Sequence, residues 1–162
     1  MAKIDYESLI PDLSDIKKEE GIDPDYLIET YLLRVGRFYH ALAYSTLFWP
    51  EFVIKDDCVL LGPRVPETYD SVIKEWGNNR TGLESFFNHQ HIRDLFPCDY
   101  CPKSPELLLS LGRRLKEMLT AKLQQDFPNR QFHVELSEIP GDDDPEITFW
   151  QLPEIPMTPD RI

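Results

Sequence analysis

The chain has 162 residues, 41% of them hydrophobic and 12% aromatic, which excludes a disordered chain and suffices for one domain with its own core. No run reaches the roughly 20 apolar residues that span a bilayer. The net charge is −12, spread as −4 over residues 1–23, −1 over 24–133 and −7 over 134–162, so both ends are acidic around a nearly neutral middle. Such a surface repels nucleic acid and suits a protein partner with a basic surface. Residues 1–20 have no apolar leader core, and three cysteines do not make a secreted disulfide framework. The expectation is a soluble cytoplasmic protein that binds neither nucleic acid nor membrane.

Residues 1–22 read as an acidic, weakly helical arm, 23–152 as a single α+β domain, and 153–162 as a Pro-rich tail. Asp23 as N-cap with Pro24 at the first helical position predicts a long helix that Pro50 stops. Ile28, Tyr31, Val35, Phe38 and Leu42 fall on one face of it at helical spacing. "EFVIKDDCVLLG" predicts two short strands around Lys55-Asp56-Asp57. Pro66 opens a short helix, and Thr81 with Glu84 at capping-box spacing opens another that runs to about Leu95. Ser104 and Pro105 start the second long helix, with Leu108, Leu111, Leu115 and Met118 as its stripe. Residues 131–137 alternate, with Phe132, Val134 and Leu136 against His133 and Glu135; so does 146–151, with Ile147 and Phe149 against Thr148 and Trp150. The expected architecture is two long helices and two or three shorter ones on one face of a roughly four-stranded antiparallel sheet made from two hairpins.

Several chemistries are excluded by spacing. Gly77 and Gly82 stand at phosphate-loop spacing, but Leu83 and Glu84 occupy the positions of the required Lys and Ser/Thr. There is no nucleophile elbow and no H-E-x-x-H. "HVE" and "PCDYC" supply the residue types of a zinc deaminase in reversed order, with the histidine in a strand pattern, so that family is not assigned. Arg34, Arg37 and His40, spaced by three on one helix, outline an anion patch or a solvated face.

Cys98 and Cys101 are the candidate metal ligands, because two thiolates at C-x-x-C spacing reach one ion; they need further ligands, with Cys58 and His133 the ones to check. His89 and His91 lie close in sequence, but two residues apart on a helix they point about 200° from each other. They converge only where the helix has ended near Asn88.

No catalytic residue emerges. The leading expectation is a small, acidic, non-enzymatic protein that binds another protein, as an immunity protein, inhibitor or secretion chaperone does. Its contact surface would be Asp142, Asp143, Asp144 and Glu146 with the outer sheet face, Glu135 and Trp150. Beside it stands a zinc protein built on Cys98 and Cys101; apart from that zinc, no cofactor is implied.

Overall fold

A computed structural model describes residues 6–20, 23–77, 79–96, 104–138 and 144–153. The fold is α+β, and the chain divides into two compact units, residues 1–45 and 46–162.

The first unit is helical. Helices α1 (Tyr6–Leu9) and α2 (Pro11–Glu20) precede a 3-10 turn at Pro24–Tyr26 and helix α3 (Leu27–Val35). Asp23 Oδ1 accepts the Asp25 N–H at 3.0 Å, as its capping role requires. Leu13 and Ile16 of α2 pack with Leu27, and Ile28 and Tyr31 lie against them. The expected continuous helix to Pro50 is interrupted. Gly36 leaves helical geometry at φ −59°, ψ 142°, and α4 (Phe38–Phe48) starts afresh. A Cβ on Gly36 would stand 2.3 Å from Leu32 O, so this break is open to glycine alone. The predicted stripe is thereby split: Ile28 and Tyr31 join the small core, while Val35, Phe38 and Leu42 are exposed.

The second unit holds the strands. β1 (Phe52–Lys55) and β2 (Cys58–Leu61) form the expected hairpin. Its two-residue turn, Asp56-Asp57, has positive φ at both positions, 49° and 64°, the backbone that matches strand twist. Helices α5 (Tyr69–Trp76) and α6 (Arg80–Phe87) follow, then a two-residue strand β3 (Gln90–His91), the long α7 (Pro105–Asp126), β4 (Phe132–Leu136) and β5 (Glu146–Gln151). Two details of the expectation change. The N-cap of α6 is Asn79, whose side chain accepts the Gly82 N–H, rather than Thr81. The helix also ends at Phe87 rather than near Leu95, so the segment after it is free to become a strand.

The second hairpin, β4–β5, gains β3 on its other side, in the order β3-β5-β4. It does not pair with β1–β2, so the single four-stranded sheet is replaced by a two-stranded and a three-stranded one. Helix α6 explains the gap, because one of its side chains and that of its C-cap residue occupy the place of the missing ladder. Glu84, fully buried, accepts the backbone N–H of Val59 in β2 and of Gln151 in β5, both at 2.7 Å, and also the Gln151 side-chain amide. One turn on, Asn88 accepts the Leu61 N–H at 2.7 Å and donates to Val59 O and Phe149 O at 2.9 and 3.2 Å. Five strand-edge groups that a ladder would have paired are thus met by side chains, as burial demands. Arg130 and Gln151 extend the network to the Asp57 carbonyl at the hairpin turn.

The inner face of the three-stranded sheet, Val134, Leu136, Ile147 and Phe149, packs on Leu108, Leu115, Leu119 and Leu123 of α7. The predicted stripe holds at Leu108 and Leu115 and then runs to Leu119 and Leu123, with Leu111 at the margin. Gly112 lies on the same face; a Cβ there would meet Leu136 Cδ1 at 2.8 Å, so its absence lets helix and sheet close up. No described helix is long and apolar enough to cross a membrane.

Candidate functional site

The outer face of the three-stranded sheet collects the chemistry. Because α6 stops at Phe87, His89 to His91 is extended, and residues two apart share a side. The divergence expected on a helix is therefore reversed: the two imidazole rings lie 4.7 Å apart, centre to centre. The segment is held at both ends. Asn88 is buried in the network between the strands, and Ile92, fully buried, donates its N–H to Pro145 O at 2.9 Å.

His91 pairs across the ladder with Glu146. Glu146 Oε2 lies 3.1 Å from His89 Nε2, and Oε1 lies 3.7 Å from His91 Nδ1. Asp144 Oδ2 stands 2.9 Å from the same Nδ1, an ion-pair distance. It is off the line of a ring N–H, so this buried nitrogen makes no aligned hydrogen bond. One ligand atom from each of His89, His91 and Glu146 lies within 4.8 Å of the other two. The Glu146 N–H donates to Ser137 Oγ at 2.8 Å, which fixes its backbone to β4.

His89 and Glu146 also form one end of an open groove of about 500 Å³. Glu135, Ser137 and Thr148 make its floor, and Trp76, Gly82, Ser85 and Phe86 its wall. The Trp76 and Phe86 rings stand 5.3 Å apart and are 41% and 51% exposed, so the wall is aromatic and partly open to solvent. Gly82 has a local reason here: a Cβ would crowd the Asn79 amide and the Trp76 ring. Thr148 Oγ1 donates to Ser85 O at 2.8 Å and ties wall to floor. Among the described residues, no Lys or Arg lines the groove.

Of the residues singled out from the sequence, Glu135 and Glu146 line this groove, and Asp144 adjoins it through His91. Trp150 is on the same face, half-buried, with the His133 ring against it at 4.6 Å, so its cover is partly a cross-strand neighbour. Asp142, Asp143, Cys98 and Cys101 lie outside the described residues. Cys58 is buried with Leu60, Tyr69 and Leu83, and burial pushes its thiol pKa up, against the thiolate a metal needs. Burial, aided by the Cys58 hydrogen bond, likewise raises the Tyr69 hydroxyl; Tyr69 donates to Lys55 O at 3.1 Å. Arg34 and Arg37 stand on either side of the Gly36 break, so they do not continue one helical row to His40. Trp76, Ser85 and Phe86 had no signal in the sequence, since they meet only once two short helices are placed.

No protein-family model matches the chain, and no curated protein or solved structure is significantly similar to it.

Proposed function

We propose that this protein works by binding another protein through the outer face of its three-stranded sheet, and that the groove receives an arginine of a basic segment. The lining carries the reading: an aromatic wall of Trp76 and Phe86, the carboxylate of Glu135 at the floor and that of Glu146 at one end, and no Lys or Arg among the described lining residues. A guanidinium stacks on an aromatic face and pairs two-pronged with a carboxylate, so it uses both surfaces together. A volume of about 500 Å³ is ample for one long side chain with its flanking backbone. The chain's net charge of −12 adds long-range attraction for a basic partner.

Titration of the ¹⁵N-labelled protein with hexa-arginine tests the reading. Amide shifts are expected to concentrate at Ser85, Phe86, Glu135 and Thr148, with hexa-lysine binding more weakly. Trp76→Ala and Glu135→Gln should each weaken hexa-arginine by about tenfold, in line with the roughly 1–2 kcal/mol such contacts supply. Shifts spread over all acidic segments, unchanged by either substitution, would mean general charge attraction and would remove the groove from the account.

A further inference from the structure

We infer that His89, His91 and Glu146 form a binding site for a divalent transition metal, zinc first among them, at the end of the groove. The distances carry this. At bond lengths of about 2.0–2.2 Å, two ligand atoms on a tetrahedral ion stand roughly 3.4 Å apart. Glu146 Oε2 lies 3.1 Å from His89 Nε2 and its other oxygen, Oε1, lies 3.7 Å from His91 Nδ1, both near that separation, so the carboxylate stands between the two rings. The ligands come from β3, the residue just before it and β5, and one atom of each lies within 4.8 Å of the other two. His89 and His91 share a side by extended geometry, and Glu146 is the ladder partner of His91.

The site is also preorganised. Asn88 and Ile92, on either side of the ligand segment, are 1% and 0% exposed and hydrogen-bonded to Phe149 O and Pro145 O of the adjoining chain. Rigid neighbours reduce the ordering cost that a metal would otherwise meet. Asp144, 2.9 Å from the same Nδ1 that would bind the ion, is placed to supply the fourth ligand, an oxygen. The donor set selects the metal class. Two imidazoles with a carboxylate suit zinc and its neighbours, whereas calcium and magnesium prefer all-oxygen shells. Since His89 and Glu146 line the groove, an ion held here would face it. This assignment is separate from any zinc held by Cys98 and Cys101, and it shares Glu146 with the groove, so with the ion bound a guanidinium would pair with Glu135 alone.

The experiment uses the full chain with Cys98→Ser and Cys101→Ser, stripped of metal by chelator and titrated with zinc alone in a calorimeter. One equivalent is expected to bind, with millimolar calcium or magnesium failing to compete. Histidine ¹⁵N spectra should show zinc-dependent shifts at Nε2 of His89 and Nδ1 of His91. Ligand removal by His91→Ala or Glu146→Gln should weaken binding at least about 100-fold, and Asp144→Asn about 10- to 100-fold. Metal-free melting curves that match the parent would confirm that these variants fold. Absence of binding by the double-serine chain, or binding that His91→Ala leaves intact, overturns the site. Cobalt binding to the unsubstituted chain with an intense thiolate charge-transfer band, and none without the cysteines, would overturn it as well and return the metal to Cys98 and Cys101.

Discussion

The two faces of the three-stranded sheet come from alternate residues of the same strands, yet they follow different rules. The inner face is Val134, Leu136, Ile147 and Phe149 against leucines of α7, and every position is explained by packing. The outer face carries His133, Glu135, Glu146, Thr148 and Trp150, with His91 beside Glu146. Packing does not require those residue types. A pleated strand therefore separates the part of a sequence that fixes a core from the part left free for chemistry. Here the free part supplies Glu135, Glu146 and Thr148 to a groove completed by His89 and an aromatic wall from α5 and α6.

The comparison breaks most visibly on stability. Phe149→Ala removes a fully buried ring that touches Phe52 and Phe132, and should cost about 3–5 kcal/mol in denaturant unfolding. Glu135→Gln, on the exposed face of the facing strand, should stay within about 0.5 kcal/mol. Comparable losses from both would show that the outer face is structural after all.

Glu84→Gln addresses the seam where neither rule applies. The substitution keeps the volume but turns an amide N–H₂ toward groups that need an acceptor, the N–H of Val59 and of Gln151. An unsatisfied buried donor costs about 1–3 kcal/mol, so a loss of about 2–4 kcal/mol is expected. Hydrogen exchange should report where it falls, with faster exchange of the Val59 and Gln151 amides. If those amides kept their protection, side chains would not be what holds the edges of β2 and β5.

Regular pattern made much of this legible in the sequence. Alternation gave both faces of β4 and β5, the Asp23-Pro24 and Ser104-Pro105 pairs marked two helical starts, and β-branched residues around Asp56-Asp57 marked the hairpin. The features that were not legible share a cause: each depends on a few residues or on distant neighbours. Gly36 sits in a helical pattern that runs through it, and only the clash with Leu32 O reveals the break. Gln90–His91 is too short to show alternation, so the convergence of the histidines was hidden with it. Glu84 has the spacing of a capping residue, and nothing local indicates that it is buried between two sheets. Trp76 and Phe86 become a wall only when α5 and α6 are packed. Thus Glu135 and Glu146 were visible as an outward acidic pair, while the groove around them was not.

The smallest effect belongs to the rim, where Glu138, just beyond β4, meets Arg113 of α7 at 2.7 Å. The guanidinium's hydrogen bond and charge hold the Glu138 carboxyl below its ordinary pKa of 4.5. A depressed carboxyl contributes stability that is present above its unfolded-state pKa and is lost as pH falls through the folded value. The contribution should therefore be complete at neutral pH and disappear progressively below about pH 4.5. The reciprocal rise at Arg113 has no consequence in that window, because the guanidinium stays charged throughout. With side chains 50% and 45% exposed, solvent and salt screen the pair, and Glu138→Gln should cost no more than about 0.5 kcal/mol. Unfolding curves for parent and variant should differ slightly at pH 7, converge in acid, and converge at high salt. A difference that survives in acid would mean that Glu138 acts through packing rather than charge, and the rim would then belong with the inner face.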